Sequence, residues 1–186
     1  MVPPAVGCEV CDHLAASDAF GTAFDAVVGR YVLMFQPDPA AFLASAAAHA
    51  RPGAVVCFHE LDAQGITSRP AVPTFDQVTS WNTEVTRRYG ADPHLGSSLY
   101  ATFLTAGLPE PTILTGAVHG RGPGAVDVLT QVRNLARSLL AEMHSLGVVA
   151  PEQVGIDTLL DRMLAEATAT HSMVVGHLQV GAYCTV

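Results

Sequence analysis

The run FDAVVGRYVLMFQPDP, Phe24 to Pro39, constrains the fold of this chain more than any other stretch. Phe24–Gly29 is a short apolar segment carrying one acid, suited to burial on both faces of a parallel strand. Arg30 breaks it, and Asp38-Pro39 then supplies an N-cap and a first-turn proline for a helix. Phe42, Leu43, Ala46, Ala47 and Ala50 fall on one stripe of that helix, which Arg51-Pro52-Gly53 ends. A second strand, Ala54–Phe58, follows and finishes in the polar cluster His59-Glu60-Leu61-Asp62. Two strands joined through a helix make a βαβ unit, with the strands parallel and the crossover right-handed.

The rest of the chain alternates helices and strands. Thr74 and Gln77 read as a capping box for a helix carrying Phe75, Val78, Trp81, Val85 and Tyr89, stopped by Gly90. Ser97 or Ser98 opens another helix, through Leu99, Tyr100, Phe103 and Leu104 to Gly107. A strand spans Thr112–His119. The turn Gly120–Gly124 leads into the longest predicted helix, striped from Val126 to Leu146 and capped by Gly147. Asp157 opens a last helix, and a closing strand runs from Met173 to Tyr183. Ahead of Phe24 the pattern is weak beyond a short strand around Val6–Val10. No repeat or linker marks a boundary, so residues 1–186 read as a single domain.

Composition removes several classes. Hydrophobic residues at 49% against 14% charged argue against disorder. Nine basic residues stand against seventeen acidic ones, a formal charge of -8, and Arg87-Arg88 is the only adjacent basic pair. A phosphate-tracking surface needs clustered cations, so nucleic acid is not expected as a partner. Arg30, Gln36 and Pro37 interrupt the longest apolar run, so no membrane span is expected. Met1 to Pro4 has neither the basic nor the apolar region of an export signal. A cytoplasmic location with reduced thiols is the expectation.

Taken in order, FDAVVGRYVLMFQPDP, RPGAVVCFHELD, SLYATFLTAGLPEPT and the terminal VVGHLQVGAY resemble the C-terminal half of a class I S-adenosylmethionine-dependent methyltransferase. The resemblance spans roughly residues 20–186, nearly the whole chain, and rests on the order and spacing of the segments. It implies an α/β fold: a truncated Rossmann-like sheet, mostly the fourth to seventh strands, under a helical substrate roof. Phe24–Gly29 would be the fourth strand, Ala54–Phe58 the fifth, Thr112–His119 the sixth and Met173–Tyr183 the seventh. The implied activity is methyl transfer from S-adenosylmethionine to a small-molecule acceptor.

Enzymes of this family grip the cofactor with a glycine-rich turn after the first strand, an acid ending the second, and a polar residue after the third. Only the third has a counterpart: Asp12, in Cys11-Asp12-His13-Leu14, matches the adenine contact, or else caps the turn that follows it. The glycine-rich half is missing. Two further readings therefore stand beside the enzyme: a non-catalytic methyltransferase-like protein that binds a ligand or partner, and a reading frame that begins late. The fourth strand normally pairs with the first, so Phe24–Gly29 is left with an open edge. Residues 1–20, a second copy in a homodimer, or a partner chain would cover it.

The resemblance puts Gly29 and Arg30 beside the cofactor, as a backbone contact and an orienting charge. The alternative is a tight turn with Arg30 paired to Asp38. His59, at the end of the fifth strand, would take a proton from the acceptor as the catalytic residue, or else is strand-end polarity. Trp81 would bind the acceptor, with Tyr89, Tyr100 and Phe103 as fellow aromatics; at helical spacing all four also fit a core. Cys8, Cys11 and His13 mimic a metal motif, but a structural zinc needs four ligands, so no metal is expected. Cys57 and Cys184 read as small buried groups.

Overall fold

A computed structural model of the chain describes residues 24–186. Strand β1 (Phe24–Arg30) and strand β2 (Ala50–Asp62) lie side by side and parallel, joined through helix α1 (Pro39–Ala47). Val27 pairs with Val56 and Gly29 with Phe58. The signals for α1 act as the sequence implies: Asp38 Oδ1 accepts the Ala41 N–H at 2.9 Å, and Pro39 opens the first turn. Leu43, Ala46 and Ala47 then face the sheet's core.

The last strand, β5 (Met173–Thr185), enters the sheet between earlier ones. It runs antiparallel to β2 on one side and to β4 (Thr112–Arg121) on the other. A short strand, β3 (Thr67–Arg69), follows β2 along the same side of β5. The result is an open mixed sheet of five strands in an α/β fold.

Helices fill two clusters. Helix α3 (Leu95–Thr105) packs with α1 on one face of the sheet, where Leu43, Val56, Phe58, Leu99 and Phe103 are buried together. Phe58 and Phe103 meet edge to face, centroids 6.5 Å apart. The second cluster joins α2 (Pro73–Arg88), α4 (Val126–Ser138) and α7 (Leu159–Ala169) through Phe75, Leu129 and Met163. The short helices α5 (Leu140–Ser145) and α6 (Pro151–Val154) complete this helical roof. Among the described residues no helix is long and apolar enough to cross a membrane.

Several expectations need correction. The cluster His59-Glu60-Leu61-Asp62 does not end the fifth-strand segment but continues it, because Glu60 and Asp62 alternate inward to buried backbone donors. Phe24–Gly29 is not buried on both faces: Val28 is 74% exposed, on the same face as Val55 and Leu114, and the helical roof reaches that face only toward the far ends of the strands, at Leu61 and Gln179. Thr74 does not cap α2; its backbone N–H and hydroxyl both go to Glu166 of α7. The long helix predicted after Gly124 is two, broken at Leu139, which turns toward the cavity described below while Met143 stays in the core. The short strand placed around Val6–Val10 lies outside the described residues.

Candidate functional site at the carboxyl ends of β1 and β2

The chain leaves β1 through a turn held by a carboxylate from β2. Glu60 is fully buried, and its Oε1 accepts the N–H groups of Val32 and Leu33 at 2.9 and 2.8 Å. Burial pushes its carboxyl above the usual range, outweighing the backbone donors of Leu33, Val32 and Met34, which act the other way. Two residues on, burial also works to raise Asp62. Hydrogen bonds from the Ser97 hydroxyl, Gln64 N–H and Ser97 N–H overcome it and hold this carboxyl below its ordinary value. These acids anchor the β1 turn and the start of α3, so the mouth of the site is set by buried polar bonds.

On the opposite face of the strands, Arg30, Tyr31, His59 and Gln179 form a cluster. Tyr31 has φ 53°, a left-handed conformation costly for a bulky side chain. It is fixed from two directions: its N–H donates to the His59 carbonyl at 2.9 Å, and its hydroxyl to Gln179 Oε1 at 2.5 Å. The Arg30 guanidinium lies over the Tyr31 ring, 4.8 Å from its centroid, and the His59 ring sits 5.2 Å away. Burial, and then the Arg30 charge, push the His59 imidazole below its usual value. It is therefore neutral at pH 7, a state that can accept a proton.

Behind Tyr31 lies a cavity of about 450 Å³ between this face of the sheet and the roof. Tyr31, Leu61, His177 and Gln179 form its floor, while α2 contributes Asn82, Val85 and Tyr89. Leu135 of α4, Leu139 and Glu142 of α5 close the far wall. Its size falls within the roughly 300–1,000 Å³ of small-molecule sites. Two of its lining residues each carry a buried side-chain oxygen with no hydrogen-bond partner, Asn82 Oδ1 and Glu142 Oε2.

The residues singled out from sequence separate into groups here. His59 and Arg30 do come together, through Tyr31; Arg30 forms no ion pair with Asp38. Gly29 lies at the end of β1, but the space a Cβ would take is filled by the Phe58 ring, 2.2 Å away. Trp81 packs on the helical core and does not line the cavity, Phe103 is buried against the sheet, and Tyr100 is exposed with its hydroxyl on Glu110. Of the four aromatics, Tyr89 reaches the cavity. Asp12, and Cys8, Cys11 and His13 with it, lie outside the described residues. Cys184 is buried, whereas Cys57 is half-buried on the open face. Tyr31, Asn82, Glu142, His177 and Gln179 were not read from the sequence. Tyr31 alone carried a signal, as the first residue beyond the strand-end pair.

No protein-family model matches the sequence, and no curated protein does. Solved structures similar to it include a phosphoethanolamine N-methyltransferase 2 of Haemonchus contortus, in complex with phosphomonomethylethanolamine and S-adenosylhomocysteine. That pair has 12% identity and a TM-score of 0.43, over 87% of this chain and 33% of the other. A protein of Galdieria sulphuraria assigned as a sarcosine dimethylglycine methyltransferase has 15% identity and a TM-score of 0.36, over 87% of this chain and 53% of the other. The cyclase SpnF has 17% identity and a TM-score of 0.39, over 89% and 52%. The chain thus spans a third to about half of the length of these structures.

Proposed function

We propose that this protein is methyltransferase-like, holding a small-molecule acceptor in the cavity under the roof and serving methyl transfer from S-adenosylmethionine. The observation that carries this reading is Tyr31, a shared wall. One side of its ring meets Arg30 and His59 at the strand ends, the side from which the donor would arrive; the residue also lines the acceptor cavity. Ligands in open α/β sheets bind outside the carboxyl ends of the strands, as both β1 and β2 present here.

S-adenosylmethionine supplies a sulfonium methyl group when bound. The residues fit the two partners unequally. On the acceptor side, a mostly apolar cavity is walled by Leu61, Val85, Leu135 and Leu139. On the donor side, Arg30 and His59 flank Tyr31 at the strand ends, and the cavity lies with Tyr31 on the acceptor side. This chain's own contribution is therefore acceptor handling. Leu61, Val85 and Leu135 exclude water, Gln179 fixes the Tyr31 hydroxyl, and the neutral His59 imidazole can hold a proton. The cavity by itself equally supports a second reading, a ligand-binding protein that transfers no methyl group.

Calorimetry and thermal unfolding with S-adenosylmethionine separate the two. Cofactor binding raises the midpoint in a concentration-dependent way. Neither heat nor stabilisation at millimolar cofactor would remove methyl transfer and leave ligand binding. We also propose that a second copy of the chain covers the outer edge of β1, since no described strand pairs with it.

A further inference from the structure

Strand β5 breaks its own alternation beneath the roof. From Ala117 to His119, β4 advances two residues while β5 passes three, from Leu178 back to Val175, so β5 carries one extra residue opposite Val118. Burial records the same break. Val174 lies in the core of the roof and Leu178 packs on the cluster of α1 and α3, although residues four apart on a regular strand share a face. The bulge turns Gly176 and His177 to the roof side together. A Cβ on Gly176 would meet Val128 Cγ2 of α4 at 3.0 Å, and His177 lines the cavity beside Gln179.

His177 arrives there with its ring free. Its backbone carbonyl accepts from Gln179 Nε2, but neither ring nitrogen has a hydrogen-bond partner among the described residues, and neither is closed off from solvent. Burial pushes the imidazole down against the opposing Asp62 charge, so it is neutral at pH 7 and offers one donor and one acceptor. Other polar groups of the wall are committed to the protein. The Tyr31 hydroxyl donates to Gln179 Oε1, and the Thr83 and Thr86 hydroxyls donate to the carbonyls of Thr79 and Asn82.

Charge and shape narrow the ligand further. The wall includes the acid Glu142, and none of the chain's nine basic residues lines it. An anion would be desolvated beside a carboxylate with no cation to meet it. An ammonium brings three donors, of which a neutral imidazole accepts one; a hydroxyl both donates and accepts, and so satisfies His177 in either tautomer. Phe35 and Tyr89 line the cavity while 58% and 63% exposed, and neither meets another ring among the described residues. They offer two aromatic surfaces at the rim to an apolar body.

We infer that the cavity selects an uncharged, largely apolar molecule carrying a hydroxyl group, and that His177 holds this hydroxyl. This rests on the reading of the cavity as a ligand pocket and adds the ligand's chemical class and the residue that recognises it.

Four probes of similar size test it on the full chain by calorimetry and ligand-observed NMR: 2-phenylethanol, ethylbenzene, 2-phenylethylammonium and 3-phenylpropanoate. The alcohol is expected to bind about tenfold tighter than either ion. His177→Leu should weaken the alcohol about tenfold, the effect of one buried hydrogen bond, and leave ethylbenzene no weaker. His177→Phe, which keeps a ring without its nitrogens, takes the place of His177→Leu if that variant does not fold. An alcohol affinity unchanged by the substitution, or a loss that ethylbenzene shares, overturns the role of His177. Either ion binding as tightly as the alcohol overturns the uncharged class. Both of these results leave the pocket reading intact, whereas no binding by any probe at millimolar concentration overturns the pocket as well.

Discussion

Replacing Gly29 with alanine would drive a methyl group into the Phe58 ring, which is itself buried against Phe103. Overpacking of this kind costs about 1–3 kcal/mol. Urea unfolding of Gly29→Ala should show that loss, and wild-type stability would mean the ring has room to move. Glu60 gives a pH dependence. Its folded carboxyl lies above the ordinary value, so the folded state binds the proton more tightly than the unfolded one. The stability this proton provides is complete below the unfolded value, near the usual Glu range. It is lost as pH rises toward the folded value. Glu60→Gln keeps an oxygen for Val32 and Leu33 but cannot ionise. It should flatten that part of the stability–pH curve and leave the protein no less stable at pH 7.

Helix α1 connects the two parallel strands, and its only side-chain cap is Asp38. Asp38→Ala should cost about 0.5–2 kcal/mol, measurable by thermal or urea unfolding. An unchanged midpoint would mean that packing on the sheet alone holds the first turn. This βαβ unit was legible in the sequence because its signals are local: an apolar run, a cap, a proline and a helical stripe. The elements that escaped are set by distant partners. β3 exists because Thr67–Arg69 meets the far end of β5. The end of β2 stays extended because Glu60 and Asp62 find backbone donors on other elements, and Thr74 abandons a cap for Glu166. The site divides the same way. His59 and Arg30 could be found as strand-end residues, whereas Asn82, Glu142 and Gln179 reach one cavity only through the packing of three separate elements.

Across the whole molecule, one face of the sheet carries α1 and α3, while Val28, Val55 and Leu114 are exposed on the other; Leu114 is 62% exposed. Combined with an unpaired β1 edge, this predicts self-association, visible as a concentration-dependent size in gel filtration. Val28→Lys should shift the equilibrium toward monomer and change monomer stability by no more than about 0.5 kcal/mol. A wild-type monomer at every concentration, with freely exchanging β1 amides, would refute self-pairing.

The position of β5 bears on how the protein is made. It occupies the middle of the sheet although it comes last among the described strands, and β2 and β4 are joined in the sheet only through it. While the nascent polypeptide is still being extended, the segments destined to flank it must wait with their edges bare. Such distant pairings are slow to form and prone to clumping in the interval. A premature stop ahead of Met173 would leave the β1–β2 pair and two lone strands, β3 and β4, with no strand to join them.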